Sequence, residues 1–185
     1  FLSLQGVEGN KLTPHYKIEQ EILKNDLPYT FLRPSFFMQN LTTTHLQEIR
    51  KRDELFIPAG EGKTNFIDVR DIAAVAAKVL SEDTHINQAY ELTGSESLSY
   101  SQVAEMLSEE LGREIRYTDP GPLKFILRKR KEGNKLAFVL VMLALYSVAK
   151  MGKADHTNDT VKRLLGREPI SFRQFVGDHR ELWRK

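Results

Sequence analysis

The stretch Tyr29-Thr-Phe-Leu-Arg-Pro-Ser-Phe-Phe-Met-Gln-Asn40 decides the fold of this chain. Its opening, Tyr29 to Leu32, is a run of aromatic, β-branched and apolar residues between Pro28 and Pro34. Such a run is typical of a strand buried on both faces of a parallel sheet. The segment before it, Pro14 to Asn25, carries apolar residues at helical spacing after a threonine that can cap a helix. A helix followed by a strand is half of a βαβ unit, so the sequence predicts an α/β fold.

The residues that leave this strand are the first place to look for chemistry. In open α/β sheets, ligands bind beyond the carboxyl ends of the strands, and Arg33 to Asn40 occupy that position. Because Arg33 precedes a proline, its backbone is biased to an extended conformation. We therefore expect the chain to leave the strand without entering a helix at once.

The rest of the chain alternates between strand and helix patterns and becomes helical after Gly121. The predicted elements are a helix over 36–52, a strand over 65–67, a helix starting near Asp68, a strand over 89–92, a helix capped by Ser99 and Gln102, a strand over 115–117, and helices over 123–131, 136–151, 157–165 and 171–183. The helix after Asp68 carries Ile72, Val75 and Val79 at helical spacing, which predicts one buried face. The pattern therefore predicts an α/β part over residues 1–120 and a helical part over residues 121–185 that packs over the sheet.

Two features of the helical part have structural explanations. The apolar run Leu136 to Ala149 is shorter than the roughly 20 residues that span a bilayer, so it predicts a buried helix. The basic cluster Arg128 to Lys131 could attract phosphate or anionic lipid. Without further basic or aromatic clustering, it indicates a solvated helix end.

The composition excludes several functional classes. The chain has 27 Lys and Arg against 25 Asp and Glu, a net charge of +2, so neither nucleic acid nor a membrane is expected as a partner. The absence of cysteine excludes disulfides and thiolate chemistry and fits a cytoplasmic location. The five histidines show no zinc-ligand spacing, and no metal site is predicted.

Several motifs follow one another along the chain. They are His15-Tyr-Lys-x-Glu19, Leu27-Pro-Tyr-Thr-x-Leu-Arg-Pro-x-Phe-Phe-Met-Gln-Asn40, Phe66-Ile-Asp-Val-Arg-Asp-Ile-Ala73, Ala89-Tyr-Glu-Leu-Thr-Gly94 and Gly166-Arg-Glu-Pro-x-Ser-Phe-x-x-Phe175. Together they resemble the NmrA-like branch of the atypical short-chain dehydrogenases/reductases. The resemblance implies a Rossmann-type parallel sheet that binds NADP or NAD. It implies a Rossmann-like domain with interleaved lobe segments over residues 1–120 and a helical substrate-binding lobe over residues 121–185. It also implies hydride transfer to a quinone or similar small acceptor in some members, and cofactor sensing in others.

One family motif does not occur in this sequence. The phosphate loop GxxGxxG after the first strand has no counterpart, and Gly60-x-Gly62 is followed by a strand rather than a helix. We therefore expect the C-terminal portion of a longer protein, with an incomplete Rossmann-type sheet that would not hold a dinucleotide tightly by itself. The choice between NADP and NAD is set after the second strand of such a sheet, which this sequence does not contain.

The resemblance implies a role for Lys17, whose ammonium would hydrogen-bond the nicotinamide ribose and lower the pKa of a neighbouring acid. From spacing alone, a solvated helix lysine is the simpler interpretation. Four residues earlier, where related reductases carry the catalytic tyrosine, this chain has Thr13. A threonine hydroxyl is a poor general acid, which favours quinone reduction or cofactor sensing over carbonyl reduction.

The remaining candidate residues come from the same comparison of motifs. Ser3 ends a strand where relatives place a hydroxyl beside the substrate carbonyl, although a turn residue is an equal alternative. Pro34, Ser35 and Phe36 would contact the nicotinamide, largely through backbone groups. The acceptor pocket would be lined by Phe37, Gln39 and Asn40, although aromatic residues at such spacing are more often part of a core.

Two alternatives to a reductase stay open. A non-catalytic sensor would bind NAD(P) and a regulatory protein partner, or act as a homodimer. A nucleotide-sugar epimerase-like enzyme shares the architecture but depends on the tyrosine that Thr13 replaces.

Overall fold

Strands and helices alternate along the first two thirds of the chain, and helices dominate the last third. The computed structural model describes every residue from Phe1 to Lys185. The helices are α1 (Pro14–Lys24), α2 (Leu46–Arg52), α3 (Val69–Ser81), α4 (Tyr100–Leu111), α5 (Pro122–Lys131), α6 (Leu136–Lys150), α7 (Thr160–Leu165) and α8 (Phe172–Trp183). The strands are β1 (Thr30–Pro34), β2 (Phe36–Phe37), β3 (Glu54–Phe56), β4 (Lys63–Ile67), β5 (Gln88–Leu92), β6 (Ser97–Ser99) and β7 (Arg116–Thr118). No helix is long and apolar enough to cross a membrane.

Contacts group the residues into two compact units that are interleaved along the sequence. The first unit comprises Phe1–Met38, Phe66–Glu96 and Thr157–Ser171, and the second comprises Gln39–Asn65, Ser97–His156 and Phe172–Lys185. These boundaries differ from the division into residues 1–120 and 121–185, which stays a prediction about function.

Parallel pairing organises the first unit, which confirms the predicted α/β class. β1 pairs with β5 from Thr30 opposite Gln88 to Pro34 opposite Leu92. On the other side of β1, the first residues of the chain run parallel to it, and the Ser3 amide donates to the Leu32 carbonyl at 2.7 Å. β2 pairs in parallel with the end of β4. Such pairing brings the carboxyl ends of the strands to one edge.

The predicted helix start before β1 is confirmed in detail. Thr13 has an extended backbone, its hydroxyl oxygen accepts a hydrogen bond from the Tyr16 amide at 3.3 Å, and Pro14 is the first helical residue. Proline is favoured there because the missing amide hydrogen has no helical partner to lose. The cap fixes where α1 begins and therefore which of its residues face β1.

The apolar core of the first unit lies between β1, β5 and α3. The predicted helical spacing of Ile72, Val75 and Val79 is confirmed, because all three side chains are buried there. They pack with Leu32, Ile67, Leu92 and Val161. Each such side chain contributes about 1.5–3 kcal/mol on burial, so this cluster is a main source of the unit's stability.

The prediction of one helix over 36–52 is wrong. Phe36 and Phe37 extend as β2, the chain turns through a short 3-10 helix at Met38–Leu41, and α2 begins only at Leu46. Strand pairing overrides helix formation because the Ser35 amide donates to the Leu92 carbonyl at 2.9 Å and β2 pairs with β4. The hydroxyls of Thr42 and Thr43 also donate to the Gln39 carbonyl and stabilise the turn.

Gly94, just after β5, approaches a neighbouring strand too closely for any side chain. A Cβ atom there would lie 2.0 Å from the Phe66 carbonyl oxygen. We predict that Gly94→Ala destabilises the protein by more than about 2 kcal/mol, because backbone must move to relieve the overlap. Chemical denaturation measures this, with Gly121→Ala as control, since a Cβ at Gly121 meets no atom within 4 Å. Equal stability of the two variants would contradict the close approach.

The second unit combines two small sheets with five helices. β3 pairs in parallel with β7, and the beginning of β4 pairs antiparallel with β6. The capping box predicted at Ser99 and Gln102 is present at the start of α4. Trp183, at the end of α8, is fully buried and its indole nitrogen donates to the Leu41 carbonyl at 3.0 Å. The C-terminal helix is therefore part of this unit's core.

Two predictions for α5 and α6 are wrong. α6 buries only one face, and most of its large apolar side chains are exposed. The basic cluster is not uniformly solvated either. Lys129 is fully buried against Glu48, and Arg128 binds Glu54 at 2.5 Å and lies over the Phe56 ring.

A buried polar network ties α5 and α6 to α2, and the sequence analysis missed it. His45 contacts Glu48 through Nδ1 at 2.8 Å and the Tyr146 hydroxyl through Nε2 at 2.6 Å, while Lys129 binds the other oxygen of Glu48. Burial raises the pKa of Tyr146 well above its ordinary value, so its hydroxyl stays neutral and can donate to His45. The network gives each buried polar group a partner and fixes the α5–α6 pair.

Candidate functional site at the carboxyl edge of the first unit

The carboxyl ends of two parallel strands and the first segment of the chain lie side by side in the first unit. β1 ends at Pro34 beside the end of β5 at Leu92. The first segment of the chain continues past β1, with the Gln5 amide donating to the Pro34 carbonyl at 3.0 Å. Ligands of open α/β sheets bind at such an edge. We call the surface formed by Ser3, Pro34 and Ser35 the carboxyl edge.

Ser3 is the most informative residue of the carboxyl edge. It is only 4% exposed, and its hydroxyl oxygen is buried without a hydrogen-bond partner. A buried hydroxyl that makes no hydrogen bond costs free energy, so native proteins rarely keep one without a reason. The observation fits a hydroxyl that is completed by a ligand. It does not fit the alternative of a turn residue, whose hydroxyl would bond to nearby backbone.

A buried ion pair positions α1 against β1 at this edge. Arg33 donates through Nε and Nη2 to the two carboxylate oxygens of Glu19 at 3.0 and 2.6 Å, and Nη1 binds Glu8. Burial lowers the pKa of Arg33, the charge of Glu91 opposes that shift, and the guanidinium stays cationic at neutral pH. The bidentate hydrogen bonding of Arg33 to Glu19 holds one face of α1 against the sheet.

Lys17 and Thr13 lie on α1 in different situations. Lys17 is exposed and makes no ion pair, and it borders a surface hollow of about 340 Å³ with Glu21 and Asn25. The Thr13 hydroxyl donates to the Asn10 carbonyl at 2.9 Å while it caps the helix. Its hydrogen is already engaged, which agrees with the expectation that Thr13 is no general acid.

The structure places the other predicted residues in three different surroundings. Pro34 and Ser35 lie at the carboxyl edge, and Phe36 follows them, its ring edge-on to Phe66 with centroids 5.8 Å apart. Phe37 packs against the apolar core cluster and also lines an apolar cavity of the first unit. Gln39 and Asn40 belong to the second unit.

A mostly apolar cavity of the first unit is lined by none of the residues that define the carboxyl edge. It measures about 820 Å³, and mostly apolar side chains from the segment before β1 and from α3 line it, including Leu27, Tyr29, Ala76 and Leu80. Ligand pockets need a few well-placed polar groups for orientation. This groove offers almost none, so it does not replace the carboxyl edge as the candidate site.

Comparison with known proteins identifies the family. The pattern of the NmrA-like family matches residues 11–162, which is most of the chain. The chain belongs to the NmrA-like family. The predicted resemblance is therefore confirmed.

Curated relatives of this NmrA-like chain include named reductases. It is 37% identical over 166 residues to the NAD(P)H azoreductase of Xenophilus azovorans, covering 87% of the chain and 56% of the relative. It is 34% identical over 158 residues to the agroclavine dehydrogenase of Claviceps fusiformis, covering 84% of the chain and 55% of that protein. The chain thus spans about half the length of the curated relatives it matches.

Solved structures share the fold. The NADPH-dependent quinone oxidoreductase of Escherichia coli superposes with a TM-score of 0.87 at 22% identity, over 96% of this chain and 65% of that one. The triphenylmethane reductase of Citrobacter sp. in complex with NADP(H) superposes with a TM-score of 0.81 at 23% identity, over 96% and 63%. These likenesses confirm the Rossmann-type fold class.

The ion pair between Arg33 and Glu19 is missed by sequence reasoning, although both residues stand in the quoted motifs. We predict that Glu19→Ala lowers the free energy of unfolding by about 1.5–3 kcal/mol, because Arg33 loses its two hydrogen bonds to Glu19 and keeps only Glu8 as its ion-pair partner. Glu21→Ala is the matched control, because Glu21 is exposed and forms a loose ion pair, 3.8 Å long, with exposed Lys24. Removing that ion pair should lower the free energy of unfolding by less than about 1 kcal/mol. Urea unfolding measures both, and equal losses would contradict the structural role.

Proposed function

We propose that this chain forms part of an NAD(P)H-dependent oxidoreductase that transfers a hydride to a quinone or similar small acceptor. Membership of the NmrA-like family supports the reductase class, and several relatives are named as NAD(P)H-dependent or NADPH-dependent enzymes. The observation that carries the proposal in this chain is the unpartnered buried hydroxyl of Ser3 at the carboxyl edge.

The residues of the first unit would hold the nicotinamide end of NADP or NAD. The Ser3 hydroxyl would hydrogen-bond the ligand group that lies over the carboxyl edge. The free ammonium of Lys17 would donate to the ribose hydroxyls, and the backbone of Pro34, Ser35 and Phe36 would lie against the ring. We propose Phe37, Gln39 and Asn40 as contacts for the acceptor.

The bound dinucleotide supplies the hydride, and the acceptor determines whether the protein must also supply a proton. Hydride addition to a quinone gives an oxyanion resembling that of tyrosine, whose conjugate acid has a pKa of about 10. Such an anion takes its proton from water without an enzymatic acid. Carbonyl reduction gives a far more basic alkoxide that needs a general acid. The engaged hydroxyl of Thr13 therefore favours a quinone-like acceptor.

The direct test follows NADPH oxidation in the longest natural reading frame that contains the chain, with a simple water-soluble quinone as acceptor. We expect quinone-dependent oxidation of NADPH and little reduction of simple aldehydes. Binding of NADPH without turnover of any quinone or carbonyl would favour the second candidate, a sensor. No binding of NADPH or NADH would overturn the proposal.

Ser3→Ala separates a ligand-binding role from a structural role. In the free protein the variant should be as stable as the wild type or slightly more so, because it removes a buried hydroxyl without a partner. NADPH binding should weaken about fivefold to tenfold, the value of one neutral hydrogen bond. Ser81→Ala is the control, because that hydroxyl only donates to the Lys78 carbonyl on α3. Calorimetric titration measures the affinity, and an unchanged affinity in Ser3→Ala would contradict the assignment.

A non-catalytic NAD(P)-binding sensor is the second candidate, and the same observation on Thr13 favours it. A chain without a general acid can bind the dinucleotide and signal its presence to a protein partner. A partner whose binding changes with NADPH, in a protein that oxidises no NADPH, would support this candidate.

A further inference from the structure

α6 has two apolar faces, and the protein's own core uses only one. Val139, Met142, Tyr146 and Ala149 are buried on the inner face. The inner face also contacts α5, where the Phe125 and Tyr146 rings meet edge to face with centroids 6.0 Å apart. The inner face therefore provides the contacts between α6 and the core of the second unit.

The outer face of α6 is apolar along its whole length. Phe138, Val141, Leu145 and Val148 follow one another at helical spacing and are 46%, 56%, 51% and 39% exposed. No charged residue occurs between Lys135 and Lys150. A typical surface helix carries polar residues on its outer side, so this face departs from the expected pattern.

α5 extends the apolar surface and adds charge to it. Leu123 and Leu127 lie one turn apart and are 70% and 62% exposed. Lys124, Arg130 and Lys131 are exposed on the same helix. We call the exposed large apolar residues and the unpaired cations of α5, α6 and the loop between them the hairpin surface. Its members are Leu123, Lys124, Leu127, Arg130, Lys131, Lys135, Leu136, Phe138, Leu140, Val141, Leu145 and Val148.

The charge around the hairpin surface is predominantly positive. From Gly121 to Lys153 the sequence has eight basic residues and one acid, Glu132. Arg128 and Lys129 are neutralised by Glu54 and Glu48, and Lys150 lies 3.2 Å from Asp119. The other five cations, Lys124, Arg130, Lys131, Lys135 and Lys153, are exposed and have no acidic partner.

We propose that the hairpin surface docks onto an anionic lipid bilayer. Exposed apolar side chains next to unpaired lysines and arginines match the boundary between acyl chains and anionic headgroups. α6 has 15 residues and is about 22 Å long, so it would lie in the interface rather than cross it. A second copy of the chain is a poorer occupant, because a symmetric contact would bring the two sets of cations together.

The buried network keeps the hairpin surface facing outward. Lys129 and Tyr146 connect α5 and α6 to Glu48 and His45 on the inner side. Rotating either helix about its axis to bury its exposed leucines would separate Lys129 or Tyr146 from its buried partner. Breaking a buried ion pair costs several kcal/mol of stability. The apolar face is therefore held at the surface.

Vesicle flotation tests the proposal with the 185-residue chain. We expect the chain to float with vesicles of equal parts phosphatidylcholine and phosphatidylglycerol, and to float far less with phosphatidylcholine alone. Raising the salt concentration should weaken binding, because the cations act within a Debye length of the surface. Flotation separates bound protein from aggregates, which sink.

Two sets of variants identify the surface. The double variant Val141→Glu/Leu145→Glu should lose at least tenfold in binding, and Lys131→Gln/Lys135→Gln about fivefold for each cation removed. Leu12→Glu/Leu80→Glu is the matched control, because both leucines are more than four-fifths exposed and lie outside the hairpin surface. Emission of the buried Trp183 confirms that each variant is folded.

Three results would overturn the proposal. The first is no flotation of the wild type with anionic vesicles. The second is equal flotation of Val141→Glu/Leu145→Glu and the control. The third is a concentration-dependent dimer that this variant abolishes while the wild type fails to bind vesicles, which would assign the surface to a second copy of the chain.

Discussion

The ion pair of Arg33 with Glu19 is the constraint on which the carboxyl edge depends. Arg33 stands on β1 and Glu19 on α1, and both carboxylate oxygens are engaged. The pair therefore fixes the rotation of α1 about its axis as well as its distance from the sheet. Lys17, two residues before Glu19 on the same helix, is exposed. Parallel pairing of β1 with β5 and with the first residues then brings Ser3, Pro34 and Ser35 to one edge.

The sequence predicted the fold well where local signals and tertiary packing agree. The cap at Thr13, the capping box at Ser99 and the spacing of Ile72, Val75 and Val79 all appear in the structure. Each of these signals is contained within a few residues. The helix predicted over 36–52 failed because partners far along the chain, Phe66 and Leu92, draw its beginning into a strand.

For the candidate site too, the sequence predicted features that depend on neighbouring residues and missed features that depend on residues far along the chain. The sequence predicted a strand that ends at Leu32, two residues before its observed end, but it could not show that the Ser3 hydroxyl lacks a partner, since that depends on every neighbour in the fold. Nor could it pair Glu48 with Lys129, which are far apart in the chain. Glu19 and Arg33 belong to the quoted motifs, and a charged residue directly after a strand predicted to be buried was the available sign that Arg33 needs a partner.

Net charge does not report how charges are distributed over a surface. The net charge of +2 predicts no anionic partner, and five cations without an acidic partner lie on or next to one pair of helices. Helical periodicity also could not separate the inner from the outer face of α6, because both are apolar. Only the packing of α5 and α6 on α2 shows which face the core uses.

Nuclear magnetic resonance most directly tests the claim that the carboxyl edge holds a dinucleotide, because chemical-shift changes report even weak binding by this chain. NADPH would be titrated into the labelled protein while backbone amides are followed. We predict that the amides of Ser3, Lys17, Ser35 and Phe36 shift progressively, while those of Leu111 and Gly112 in the second unit do not. Shifts confined to other residues, or no shifts at high NADPH concentration, would contradict the assignment.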